Sequence, residues 1–194
     1  MTLDPQEITI VSGLPRSGTS LMMRMLAAGG LPVLSDGLRK PDPDNPRGYY
    51  EFEPVKQTKS DPSWVAGAGG KAVKMVSRLL PDLPPGYRYR VVFMRRNLEE
   101  ILASQQRMLL RKGIPHDPVA DAEMARLFTS HLAEMERWLA AQENFTVIYL
   151  WYNELLSNPQ QALHRLDEFF RRTLDVSRMA EIIDPALYRN RKSE

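Results

Sequence analysis

The chain contains no cysteine. That excludes a disulfide framework, a thiol nucleophile and any metal centre built on thiolates, and it suits a reducing compartment. Histidine is nearly as scarce, with three in 194 residues. An excess of charge of one sign is missing too. Lys and Arg number 26 against 24 Asp and Glu, a net charge of +2. That is too balanced for a surface that binds nucleic acid or anionic lipid over its whole extent. Neither partner is therefore expected, and any anion site must be local. No apolar run approaches the ~18 residues that cross a bilayer. Residues 1–7 lack the basic and apolar stretches of a secretory signal. A cytoplasmic protein is the expectation.

What is present suits a folded domain. Hydrophobic residues make up 43% and charged residues 26%, too apolar for disorder, and the length fits a single domain over residues 1–194. Ile8-Thr9-Ile10-Val11 is a short β-branched run of the kind buried in parallel sheets. A helix follows over residues 21–28. Residues 71–76, 89–94 and 145–152 read as further strands, and residues 97–113, 119–141, 159–170 and 176–183 as helices. Asn97 and Glu100 form a pair like a capping box. Leu98, Ile101, Leu102, Gln105 and Leu109 give that helix its inward stripe, and Met124, Leu127, Phe128, Met135, Trp138 and Leu139 do so for the next. Residues 35–50, with their prolines, glycines and charges, and residues 60–70 read as loops. Strands alternating with helices imply an α/β, three-layer fold: a central, mostly parallel sheet of about four to five strands with helices on both faces. Ligands of such sheets sit beyond the C-terminal strand ends.

Gly13-Leu14-Pro15-Arg16-Ser17-Gly18-Thr19-Ser20 lies at such an end. Gly13 and Gly18 have the glycine spacing of a P-loop, in which backbone N–H groups and a helix N-terminus surround a phosphate. The loop departs from the NTPase pattern in two ways. Thr19 stands where the Lys against the β/γ-phosphates belongs, and no acidic residue ends a strand to hold Mg²⁺. Val91-Val92-Phe93-Met94 runs into Arg95-Arg96, and Val147-Ile148-Tyr149-Leu150 into Trp151-Tyr152. The loop suits a phosphate-like anion bound without an evident metal.

The loop resembles the 5′-phosphosulfate loop of sulfotransferases, which have a P-loop NTPase-like fold and use 3′-phosphoadenosine 5′-phosphosulfate (PAPS) without a metal. Pro15-Arg16-Ser17-Gly18-Thr19-Ser20 is most similar to the Arg-containing version in tyrosylprotein and many bacterial members. The resemblance implies that Arg16, Ser17, Gly18, Thr19 and Ser20 bind the phosphosulfate. It implies also that Arg96 and Ser104, eight positions apart, share the 3′-phosphate, and that Tyr152, as the last tyrosine of a strand, contacts the nucleotide. It covers about residues 8–170. Arg189, Arg191 and Lys192, in a basic tail over residues 188–194, could supply the cations that larger members close over the nucleotide.

For the chemistry, the resemblance assigns Arg16 and Lys74 to the transferring group. Cytosolic members carry a catalytic His two residues after that Lys, and here the position is Val76. The general base must come from elsewhere: Asp36, near where tyrosylprotein enzymes carry an acid, or Glu51, Glu53 or His131. His131 falls on an inward helix stripe, where a hydrogen-bonded core histidine is the common outcome. His116 and His164 belong to no constellation. The expected activity is sulfuryl transfer to a hydroxyl or amine of a small-molecule or peptide acceptor, with residues 35–50 as wall or lid of its pocket. The alternatives are an inactive PAPS-binding module and a degenerate P-loop kinase or NTPase.

Overall fold

The structure is a computed structural model and describes residues 6–43, 45–115 and 117–184. His116 and the basic tail over residues 188–194 lie outside the described residues.

Five parallel strands form one sheet in the order β2-β3-β1-β4-β5: β1 (Glu7–Gly13), β2 (Val33–Leu34), β3 (Ala72–Lys74), β4 (Arg88–Arg95) and β5 (Phe145–Trp151). The protein is thus α/β, as its alternating pattern predicts. Strands in such sheets need apolar residues on both sides, and β4 shows why the fold closes. Val92 and Met94 point into one core, with Met22, Met25, Leu155 and Leu166. Tyr89, Val91 and Phe93 point into the other, with Val65, Leu80 and Leu139. The first core is covered by helices α1 (Thr19–Ala28), α4 (Tyr152–Ser157), α5 (Pro159–Phe169) and α6 (Val176–Glu181). The second lies under α3 (Pro118–Ala140) and three 3₁₀ turns, Glu53–Gln57, Ser63–Gly67 and Ser77–Asp82. Each large side chain so buried contributes about 1.5–3 kcal/mol.

Several local expectations change, among them Leu127, expected on the inward stripe of α3 and 57% exposed. β2 has two residues, too few for an alternating pattern, and it was not foreseen. Strand β5 ends at Trp151, so Tyr152 opens α4. Helix α2 (Leu98–Arg111) buries Glu100, Ile101 and Ser104, so of the expected stripe of Leu98, Ile101, Leu102, Gln105 and Leu109 only Ile101 is fully buried, because that face meets polar groups at the sheet's C-terminal edge. Asn97 does cap α2, accepting the Glu99 N–H at 3.0 Å.

Pairing is in register across the centre. Val11 lies opposite Lys74 on one side and Val92 on the other. Central β1 therefore delivers its loop between the ends of β3 and β4.

Candidate functional site

The loop after β1 is shaped by its two glycines. Gly13 has φ 144°, and a Cβ there would come within 2.5 Å of the Met94 carbonyl oxygen on β4. Gly18 has φ 99°, and its Cβ would overlap the ring of Tyr152. Only glycine fits either place. Gly18 is also the N-cap of α1, and no side chain caps that helix. The first-turn N–H groups, which have no carbonyl partner within a helix, thus meet the loop with the positive end of the helix dipole behind them.

Arg16, at φ 71°, is held from both ends. Its Nε donates to Ser104 Oγ at 2.9 Å, and its carbonyl accepts from Arg96 Nη1 at 3.1 Å. Arg96 is only 8% exposed. Its Nε donates to Glu100 Oε2 at 2.9 Å, while Glu100 Oε1 accepts from Asn153 Nδ2 at 2.9 Å. The Arg96 guanidinium carbon sits 4.5 Å from the centre of the Tyr152 ring, within cation–π range. Burial pushes the Tyr152 phenol above its ordinary pKa, and Arg96 offsets part of the rise.

Lys74, from the end of β3, approaches the loop from the other side. Its ammonium donates to the Tyr49 carbonyl, lies 3.5 Å from Ser20 Oγ and 3.7 Å from Glu51 Oε1. Ser20 Oγ donates to the same carbonyl at 3.2 Å. Burial lowers the Lys74 pKa from 10.5 to about 8, with Glu51 opposing the shift.

These groups border one cavity of about 770 Å³. Arg16, Gly18, Thr19, Ser20, Lys74, Arg96, Ser104 and Tyr152 all line it. Among the described residues its other cations are Arg24, Arg39, Arg47, Lys56 and Lys112, against the two acids Glu51 and Asp184. A chain of net charge +2 therefore concentrates cations in one cleft, which favours an anionic ligand. Arg24, one helical turn beyond Ser20, has its pKa lowered by burial and by Arg47. No motif marks Arg24, Arg39 or Arg47, so sequence reasoning missed them. Residues 35–50 carry three cations and three acids, so local charge gave no signal there.

Two expected site residues are placed otherwise. Ser17 is 1% exposed, and its hydroxyl is buried without a hydrogen-bond partner. It lies beneath the loop against Gly13, and its N–H donates to the Leu14 carbonyl at 3.2 Å, so it shapes the turn from below. Asp36 does not reach the cavity. Its carboxylate accepts the N–H groups of Glu53 at 2.6 Å and Leu38 at 3.0 Å, and these bonds hold its pKa below the usual carboxylate value. Of the remaining base candidates, His131 bonds Ser77 Oγ at 2.8 Å and burial lowers its pKa. Glu53 pairs with Lys56 at 2.5 Å. His164, not a base candidate, is a surface group 3.5 Å from Glu168. Among these candidates only Glu51 lines the cavity.

Neither a protein-family model nor a curated protein matches this sequence. Solved structures do. The sulfotransferase domain from the curacin biosynthetic pathway matches with a TM-score of 0.53 at 16% identity, over 95% of this chain and 79% of that one. A sulfotransferase from Alicyclobacillus acidocaldarius matches at 0.50 and 16%, over 88% and 85%. Mouse sulfotransferase SULT7A1 complexed with PAP matches at 0.54 and 15%, over 94% and 64%. No helix among the described residues is long and apolar enough to cross a membrane. The glycine loop, the parallel sheet that carries it and these likenesses together show that the chain has the sulfotransferase fold.

Proposed function

We propose that the chain transfers a sulfuryl group from PAPS to a hydroxyl or amine of an acceptor, without a metal. The observation that carries this reading is the convergence of an uncapped helix N-terminus, the Arg16–Ser104 and Arg96 network and Lys74 on one cavity. The residues fit such a donor: Gly13 and Gly18, packed against Met94 and Tyr152 where no Cβ fits, turn the loop over the uncapped start of α1. PAPS, when bound, supplies the activated sulfuryl group and leaves as 3′-phosphoadenosine 5′-phosphate (PAP).

In this reading the α1 amides at Thr19 and Ser20 and the Arg16 side chain hold the phosphosulfate oxygens, where preorganised donors are worth about 10²–10³ in rate. Arg96 and Ser104 hold the 3′-phosphate, a guanidinium fork and a hydroxyl converging on one anion. Tyr152 packs beneath the loop toward the nucleotide. Lys74 holds its proton beside the oxygen that departs with the phosphate. Glu51 takes the acceptor proton as the acceptor oxygen or nitrogen bonds to sulfur.

Calorimetry with PAP and 5′-AMP tests the reading. PAP should bind at least about tenfold more tightly, since the 3′-phosphate adds charge-assisted hydrogen bonds, and EDTA should leave its affinity unchanged. Equal or absent binding overturns it. A second reading, a PAPS-binding module without turnover, is favoured by Val76 at the place where the cytosolic enzymes carry a catalytic His. Transfer of sulfate from PAPS to any phenol excludes that alternative.

A further inference from the structure

The cavity is not cationic throughout. Beside Gln105 and Lys112, its wall beyond Lys74 is formed by Phe52, Val76, Leu79, Met108, Met124 and Phe128. These come from the segment before the Glu53–Gln57 turn, the end of β3, the Ser77–Asp82 turn and the facing halves of α2 and α3. They offer no hydrogen-bonding side chain. Val76 is 42% exposed, an apolar group held open at a strand end that could have carried a polar one. None of residues 119–130 in α3 is fully buried, whereas Met135 and Leu139 farther along are. Met124 and Phe128 therefore turn their apolar surface to the cavity and not to the core.

We propose that this wall binds the hydrocarbon body of the acceptor, which is an apolar alcohol or phenol, with its hydroxyl at Glu51 and Lys74. The proposal rests on the sulfuryl-transfer reading and names its acceptor class. A sugar would bring several hydroxyls against six side chains that cannot pair them, with Gln105 and Lys112 as the nearby partners on α2, at about 1–3 kcal/mol for each group left unsatisfied. A peptide backbone would meet the same penalty. An apolar body leaves water at no such cost, and three rotatable bonds in each of Met108 and Met124 let the wall adapt to aromatic or alkyl shapes.

Glu51 and Lys74 stand at the junction of the two ends. Glu51 Oε1 also pairs with Arg39 at 2.8 Å, which fixes the carboxylate at the cavity. Asp184, the other acid lining the cavity among the described residues, pairs with Arg47 at 3.3 Å. In the transfer the acceptor oxygen forms a bond to sulfur, and the bond from sulfur to the 5′-phosphate oxygen breaks. The electron pair leaves with that phosphate, and the acceptor proton passes to Glu51. The products are a sulfate monoester and PAP.

Fluorescence and calorimetric titrations with 2-naphthol and 1-decanol test this, beside N-acetylglucosamine and a tyrosine-containing hexapeptide, each with and without saturating PAP. Saturable binding of naphthol or decanol is expected, and the pair separates an aromatic from an alkyl preference. Val76→Asp should weaken that binding about tenfold or more by placing a charge against the apolar body, with PAP affinity unchanged. The proposal fails if PAP binds and neither alcohol does, if the sugar or the peptide binds more tightly, or if Val76→Asp has no effect. If the alcohols bind and PAP does not, the apolar site stands and the donor assignment falls.

Discussion

The two ends of the cavity are built differently. The end at the glycine loop is assembled from strand tips and buried polar groups: Arg96, Glu100 and Ser104 are almost wholly enclosed, and each is tied to a neighbour. The other end is assembled from 3₁₀ turns, the 35–51 segment and two helices whose lining residues are half-exposed. An anion of fixed shape can be recognised by groups that do not move. An acceptor of variable shape is better met by side chains that can.

The largest expected effect comes from breaking the enclosed end. Arg96→Met leaves Glu100 buried beside Asn153 without its cation, which should cost about 3–5 kcal/mol of stability. Adding Glu100→Met should recover most of it, while PAP binding stays lost in both. Urea titration and calorimetry on the single and double variants check this, and a single variant of undiminished stability would erase the contrast between the ends.

Glycine replacements sharpen it. Gly18→Ala meets both a left-handed backbone and the Tyr152 ring, and about 2–3 kcal/mol should be lost along with PAP binding. Gly37→Ala, at φ 64° in the 35–51 segment with no heavy atom within 4 Å of the added Cβ, should cost only about 1 kcal/mol of backbone strain and spare PAP. Thermal melts of the two variants compare them directly.

A pH-dependent effect belongs to Lys74, at the junction. Its folded pKa of about 8 lies below the ordinary 10.5. Between those values the unfolded chain holds a proton that the folded chain does not, so stability should rise with pH across that window. A rate that depends on the ammonium should fall across it. Lys74→Arg, cationic throughout, should remove both trends in melting and initial-rate profiles.

The enclosed end was the legible one. A β-branched run, two glycines at fixed spacing and an arginine followed eight residues later by a serine are local signals, and β1, β4 and α2 place them as the pattern implies. Glu100 was legible as a helix-start acid, yet its burial with Arg96 and Asn153 depends on where α4 begins, which no local pattern states. Ser17 shows the limit of a motif. The loop's outline is in the sequence, but which side a hydroxyl takes depends on contact with Gly13. The open end was nearly illegible, since Phe52, Val76, Met108 and Phe128 meet only through the fold. Asp36 is placed by the same kind of contact: its backbone lies beside Glu51, but its carboxylate turns to the N–H groups of Leu38 and Glu53 and not to the cavity.

The register of the sheet sets the spacing between the glycine loop and the junction. Val11 stands level with both Lys74 and Val92, so β3 and β4 act as two rulers read from one zero mark. Removing a single residue before Lys74 would shift its place by about 3.3 Å and turn its side chain to the opposite face of the sheet. Residues added at the outer edges of β2 or β5 would leave both readings unchanged. The fold can therefore gain material at its flanks while the spacing across its centre is held to within one residue.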